Sequence, residues 1–256
     1  MRRCLAVLLL LAGWNMLAFP QTAEELVNKN IEAKGGMEKI KAIRTIRVTG
    51  KTVSPNGVIA STTEENMRPN LVRETTSLQG MTAVQAYDGS TGWEISPFGG
   101  RKDPRLMGED DVRDLLIDSD FDGPLVDFKA KGNTVEYLGH DTVDGDDALR
   151  LKVTLKDGDV IYYYLDPDTC LEIRKEIQVF VRGAVHESVV EPGSYKPVNG
   201  MMFPFSIASG EKNDPNSWST FNVEKVEVNA PLADSDFAVP ASLKKSMQAK
   251  EDTPKQ

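Results

Sequence analysis

The sequence predicts a mainly β protein, a strongly curved antiparallel meander that forms an incomplete, unclosed β-barrel with helical lids. From Ile43 onward apolar residues recur mostly at every second position, in roughly eleven segments, as in strands with one buried face. Short polar turns such as Asp157-Gly158 join these segments, so neighbouring strands must be antiparallel, because a parallel connection needs a long crossover. A long antiparallel meander tends to curl, since curling removes its edges.

The N-terminus has the pattern of an export signal. Positively charged Arg2 and Arg3 precede an apolar run, Cys4 to Ala12, which is too short to span a membrane. We therefore predict a secretory signal at residues 1–21, cleaved between Ala18 and Ala23, and a mature protein that is soluble in the periplasm. An uncleaved anchor is the alternative. We assign residues 22–241 to one domain and residues 242–256 to a disordered polar tail.

Two helical pieces interrupt the strand pattern and are the predicted lids. Thr22 and Glu25 have the spacing of a capping box at the start of an amphipathic helix. Gly35-Gly36 favours a break in that helix. The second piece is a short helix around Leu115, which ends before Asp122.

The charge and cysteine content exclude several classes of function. The chain has 30 Lys and Arg against 39 Asp and Glu, a net charge of −9. This balance argues against binding to nucleic acid or to anionic lipid heads. Once Cys4 leaves with the signal, Cys170 is the only cysteine, so an ordinary core must stabilise the fold without disulfides. We expect a monomer.

No residue pattern predicts a catalytic or metal centre. Asp118 to Gly123 matches the first half of an EF-hand loop, but Lys129 occupies the position of the bidentate Glu. His140 and His186 have no zinc spacing, and Cys170 has no Cys-x-x-Cys partner. We therefore predict no catalytic residues, no metal, no cofactor and no enzymatic activity.

Apolar and aromatic strand residues are the candidates for an apolar binding cavity. The strand Ala148 to Lys156 should turn alternate leucines and valines to the interior, with Arg150, Lys152 and Thr154 outside. Each such residue can instead fill the core, and the pattern does not determine which face of the strands lines a cavity. We expect the charge of a ligand to matter little. The candidates are Trp93, Leu149, Leu151, Val153, Leu155, Tyr162, Phe203 and Phe205.

Several blocks of the chain resemble a known family. They are the first helix running into Ile46-Arg47-Val48-Thr49-Gly50, Tyr87 to Trp93, Tyr164-Leu165-Asp166-Pro167, Tyr195 to Pro204, and the closing run Val226 to Pro240. Together they resemble the bacterial outer-membrane lipoprotein-sorting proteins, relatives of the LolA/LolB periplasmic lipoprotein carriers.

The resemblance implies an unclosed barrel with helical lids over an apolar cavity that holds lipoprotein acyl chains. A basic residue of the barrel would latch the lid, with Arg47 and Arg73 as candidates. Inner-membrane release machinery and an outer-membrane acceptor would be the protein partners. The chain departs from a minimal carrier in the extra segment Gly99 to Lys131, and it lacks the lipidated cysteine and apolar loop of the anchored branch.

Three hypotheses follow from these patterns. The first is a periplasmic carrier or binding protein for lipid or lipoprotein acyl groups. The second is a periplasmic sensor or interaction module of the same fold that detects lipoproteins without transporting them. The third is an enzyme acting on lipids, for which the sequence offers no pair of nucleophile and base.

Overall fold

The computed structural model describes residues 22–120 and 122–245. The predicted signal, residues 1–21, lies outside the described residues, as do residues 246–256 of the predicted tail. Among the described residues, no helix is both long and apolar enough to cross a membrane.

In the described part of the chain, five short α-helices and a 3-10 turn at Pro97–Gly99 accompany the sheet. The α-helices are α1 (Ala23–Ala33), α2 (Met37–Ala42), α3 (Arg113–Ser119), α4 (Phe128–Lys131) and α5 (Asp234–Phe237). The predicted capping box opens α1: the Glu25 amide donates to Thr22 Oγ1 at 3.2 Å, and the Thr22 amide donates to Glu25 Oε2 at 2.8 Å. Gly35 and Gly36 both have positive φ and separate α1 from α2, so the predicted break is present.

Fifteen strands make up the rest of the described fold. They are β1 (Thr45–Val53), β2 (Ile59–Met67), β3 (Leu71–Leu78), β4 (Met81–Tyr87), β5 (Gly92–Ser96), β6 (Arg101–Leu106), β7 (Thr134–Val143), β8 (Asp146–Thr154), β9 (Val160–Leu165), β10 (Glu172–Val181), β11 (Ala184–Gly193), β12 (Lys196–Val198), β13 (Met201–Phe203), β14 (Ser206–Glu211) and β15 (Ser219–Val228).

Thirteen of these strands form one curved antiparallel sheet that is not closed, as predicted. Its order is β6-β5-β4-β3-β2-β1-β15-β14-β11-β10-β9-β8-β7, and β12 and β13 form a separate hairpin. The sheet therefore consists of two meanders that are joined where β15 pairs with β1. At this seam Thr49 pairs with Lys225 and Gly50 with Val223, which leaves Glu224 in a bulge at the point where the alternation of apolar residues in β15 changes parity.

The main core lies where α1 packs on one end of the sheet. Leu26, Val27 and Ile31 of α1 are buried against alternate residues of β8 and β9. Leu149, Leu151 and Val153 of β8 are at most 4% exposed, whereas Arg150 and Lys152 between them are half-buried. The predicted inward face of β8 is thus confirmed.

The segment after β15 covers the opposite face of the other meander. Val239 packs with Val84, Ala86 and Trp93 of β4 and β5. The Trp93 indole donates a hydrogen bond to the carbonyl of Phe237 at 2.9 Å. The C-terminal segment therefore closes a second small core on the outside of the sheet.

Candidate functional site

A cavity of about 510 Å³ lies inside the curve of the sheet. One wall comes from β2 and β3, and the other comes from β9, β10, β11 and β14, with residues of the α3 segment above both. Since β3 and β9 stand far apart in the strand order, they share a cavity only because the sheet curves around it. We call the face that lines this cavity the inner face.

An apolar groove of about 220 Å³ continues the cavity under α2 and the β12–β13 hairpin. The two spaces adjoin each other, and we treat them as two compartments of one candidate site. The residues that line both are Lys34, Asp122, Glu172, Lys175, Val190 and Ile207. The apolar side chains of the groove are Ile40, Ile43, Ile46, Met201, Met202, Phe203 and Ile207.

A further depression of about 570 Å³ runs between α3 and the turn after β8, and it is more open to solvent. We take the inner cavity and groove as the candidate site instead, because their walls come from both meanders and carry the buried charges.

The β2–β3 wall of the cavity is acidic. Glu64 and Glu74 stand directly opposite each other in neighbouring strands, and Asp118 of α3 lies above them. Burial, together with the negative charges of Glu74 and Asp118, raises the pKa of Glu64 to about 8 against the opposing charge of Lys175. Burial also raises the pKa of Glu74, although the Thr76 hydroxyl donates to its Oε1 at 3.1 Å. Glu64 thus holds a proton at neutral pH.

The facing wall carries a balanced set of charges. Lys34 Nζ lies 2.9 Å from Glu172 Oε1, and Lys175 lies nearby in the same strand. Burial raises the pKa of Glu172, but the charges of Lys34 and Lys175 outweigh burial, so its pKa is lowered overall. The Tyr195 hydroxyl donates to the Glu172 carbonyl at 2.9 Å and closes the end of the groove.

Arg68 ties the helices to the rim of the site. Its guanidinium donates to the carbonyls of Ile40 and Ile43 at the end of α2, at 2.9 and 2.6 Å, and to both carboxylate oxygens of Asp122 beyond α3. Lys41 also donates to Asp122 at 2.8 Å. Burial raises the pKa of Asp122, but these two cations outweigh it and lower the pKa. One arginine therefore links α2, β2 and the segment after α3.

Known proteins share this architecture. No family model matches the chain, and no curated protein matches it in sequence. Among solved structures, a LolA superfamily protein from Nitrosomonas europaea superposes with a TM-score of 0.55 at 13% identity, over 86% of this chain and 99% of that chain. The chain has a LolA-like fold.

Two further structures share the LolA-like fold with this chain. A DUF1329 family protein from Desulfovibrio piger gives a TM-score of 0.58 at 11% identity, over 84% of this chain and 97% of its own. A domain assigned to outer membrane lipoprotein sorting, from Vibrio parahaemolyticus, gives 0.50 at 13% identity, over 82% and 97%. At such identities the likeness is one of fold.

Within the LolA-like fold, the predicted cavity residues fall into three places. Leu149, Leu151 and Val153 lie under α1 in the main core, with Leu155 half-buried beside them. Phe203 lines the groove, and Phe205 lies under the Lys196 ammonium, 4.4 Å from its ring centroid. Trp93 and Tyr162 lie on the outer face.

Tyr163, which the sequence pattern did not single out, replaces Tyr162 at the cavity wall. The length of the turn after β8 determines which of the two tyrosines faces the cavity. The Leu155 amide donates to the Asp159 carbonyl and the Gly158 amide donates to the Leu155 carbonyl, so the loop between β8 and β9 has three residues, 156–158. Leu151 therefore pairs with Tyr163, which is 3% exposed, while Tyr162 packs beside the Arg150 guanidinium on the outer face. Burial raises the pKa of Tyr163 well above its usual range.

The two predicted latch residues also lie on the outer face. Arg47 and Arg73 both bind the buried carboxylate of Glu65, at 2.7 and 3.3 Å. Glu65, Arg73, Ala86 and Trp93 occupy one row across β2 to β5, which is the row on which the C-terminal segment packs. No sequence pattern pointed to Arg68. This residue nevertheless makes the contacts to the helical lid that the family resemblance implied for Arg47 or Arg73.

The residues that suggested metal or nucleophile chemistry are separate in the structure. His140 is exposed and lies 3.0 Å from Asp147, His186 is exposed, and Cys170 is buried. Within residues 22–120 and 122–245, no group of three His, Cys, Asp or Glu side chains is arranged to hold a metal ion. Asp120 of the EF-hand-like stretch binds Lys131 at 2.5 Å.

Proposed function

We propose that this protein is a periplasmic carrier or binding protein that holds the apolar chain of a lipid, such as a lipoprotein acyl group, in the groove and inner cavity. The observation that supports the proposal most is that an apolar groove adjoins the inner cavity within a LolA-like fold. An apolar concavity with a few placed polar groups is the usual form of a small-molecule site. The export signal predicted at residues 1–21 supports a periplasmic location.

The groove supplies the affinity in this proposal. Ile43, Met201 and Phe203 form its apolar surface. Each methylene that moves from water into such a surface contributes about 0.8 kcal/mol, which is roughly a fourfold gain in affinity. Arg68, through Asp122 and the carbonyls of α2, would hold the helices over the bound chain.

The test is displacement of a neutral fluorescent probe from purified protein by 1-alkanols of increasing length. Affinity should rise about fourfold for each added methylene and then level off when the site is full. Alkanols carry no charge, so the experiment measures the apolar site alone.

A blocking variant locates the binding. Ile207 lines both compartments, so Ile207→Trp should abolish displacement. Val185 is 59% exposed at the outer end of β11, so Val185→Trp is the matched control and should bind as the unmodified protein does. Circular dichroism and melting temperature establish that both variants fold. If no alkanol displaces the probe, or if both variants bind alike, the proposal is wrong.

Cell fractionation tests the proposed location. We expect a processed protein in the periplasm that begins between residues 19 and 24. An intact N-terminus retained in the inner membrane would contradict it.

A further inference from the structure

We propose that the ligand of the inner cavity is an amphiphile whose head carries an ammonium group, with the ammonium at Glu64 and Glu74 and the chain in the apolar groove. This inference rests on the proposed function and specifies its ligand class. It also replaces the expectation from the sequence that ligand charge matters little, because that expectation considered only the acidic outer surface.

The first observation is a pair of carboxylates without a cation. Within the described residues, three other acids of the cavity bind basic side chains: Asp120 binds Lys131, Asp122 binds Arg68 and Lys41, and Glu172 binds Lys34. Glu64 and Glu74, in contrast, form no ion pair in that part of the chain, although they face each other across two strands. Like charges placed opposite each other destabilise a sheet, so this pair costs stability in the protein without ligand whenever both carboxylates are ionised.

The second observation is the depth of Glu64. Its side chain lines the cavity rather than the outer surface, and burial is the largest cause of its raised pKa. A carboxylate placed in low dielectric without a partner binds a proton instead, or a cation when one is supplied. In the protein without ligand, the Glu64 carboxyl therefore binds a proton at the position where the cation of a ligand can bind.

The charges around the pair decide where the ammonium would lie. Asp118 adds a third negative charge from α3, and Lys175 of β10 is the cation that acts on Glu64 across the cavity. Lys175 also lies close enough to Glu172 to help lower its pKa, together with Lys34. The ammonium is thus attracted to the β2–β3 wall and repelled from the β10 wall.

The position of the groove determines what kind of group can be attached to the ammonium. Cavity and groove adjoin at Val190 and Ile207, so we place the chain attached to the ammonium past these two residues, toward Ile43 and Phe203. The site therefore matches an alkyl amphiphile with a primary or quaternary ammonium head better than a fatty acid, whose carboxylate would face Glu64 and Glu74.

The experiment compares three ligands with the same ten-carbon chain, decylammonium, 1-decanol and decanoate, as competitors for the neutral probe. We expect decylammonium to bind at least tenfold more tightly than 1-decanol, and decanoate more weakly than both. The preference should persist in 0.5 M NaCl, because a pair inside the cavity is screened much less than exposed charges. Calcium chloride tests whether the pair binds any cation.

Variants connect the preference to the two carboxylates. In Glu64→Gln/Glu74→Gln, the ammonium should lose its advantage while 1-decanol binds as before. Glu224 is exposed on β15, so Glu224→Gln removes one charge elsewhere and should retain the advantage. Titration calorimetry of the unmodified protein in buffers of different ionisation enthalpy gives a measure that needs no variant: ammonium binding at pH 7 should release close to one proton.

The outcomes separate the two proposals. If 1-decanol binds and decylammonium binds no more tightly, the ammonium inference is wrong and the proposed function stands. If the ammonium advantage survives in the double variant or disappears in salt, the attraction comes from the whole surface and the inference is wrong. If calcium displaces the ammonium at micromolar concentration, the pair is a metal site and the inference is wrong. If neither ligand binds, both proposals fail.

Discussion

Replacement of Glu64 by Gln removes an ionisable group whose burial lowers the stability of the protein without ligand. Moving a pKa from 4.5 to about 8 corresponds to roughly 5 kcal/mol of native-state destabilisation once the group is fully ionised, at about 1.4 kcal/mol per tenfold change in proton affinity. This is an upper limit, since cavity water solvates the side chain. We expect Glu64→Gln to stabilise the protein by about 2 to 3 kcal/mol at pH 9.

The sign of the effect depends on pH. The native protein binds more protons at Glu64 than the unfolded chain does between about pH 4.5 and 8, so stability falls as the pH rises through this window. Below it both states are protonated, and the variant should lie within about half a kcal/mol of the unmodified protein. Urea unfolding at pH 4.5, 7 and 9 measures the difference, with Glu224→Gln as the control. If the free-energy difference is the same at all three values, Glu64 is solvated like a surface residue, and the account of the acidic wall is wrong.

Two further predictions concern the core and the calcium-like stretch. Leu151→Asp should cost several kcal/mol through an unpaired buried charge, whereas Lys152→Asp on the outer face should cost less than about 1 kcal/mol in the same urea experiment; equal costs would mean that the faces of β8 are exchanged. Millimolar calcium or EDTA should leave the melting temperature unchanged, because Lys131 and Arg68 already bind Asp120 and Asp122. A shift of several degrees with calcium would instead make these two aspartates a metal site.

The parts of the fold that depend on local pattern could be predicted from the sequence. The capping box at Thr22, the helix break at Gly35-Gly36 and the bulge at Glu224 are each set by a few neighbouring residues. The same is true of the inward face of β8, since alternation in one strand fixes its faces relative to each other.

The candidate site depends on register, which local pattern does not fix. Tyr162 and Tyr163 exchange places because the turn before them has three residues instead of two, and a change of one residue moves every side chain to the opposite face. Glu64 and Glu74 belong to strands with polar residues on both faces, so alternation could not indicate that these two face inward. The sequence pattern makes Trp93 a candidate cavity residue, but the C-terminal segment covers it on the outer face.

The pairing of β1 with β15 also determines the order in which the molecule can assemble. Each meander is built from neighbouring strands and can form as its own residues become available. On the edge of β1 that faces away from β2, however, Ile46 pairs with Val228 of β15. Contacts so far apart in the chain are slow to form, and until they do, β1 presents an unpaired edge to other chains. The wall that carries Glu64 and the wall that carries Lys175 belong to different meanders, so neither encloses anything alone. We therefore expect a chain that ends before residue 219 to lack the site, and ligand capture to begin only after β15 has been made.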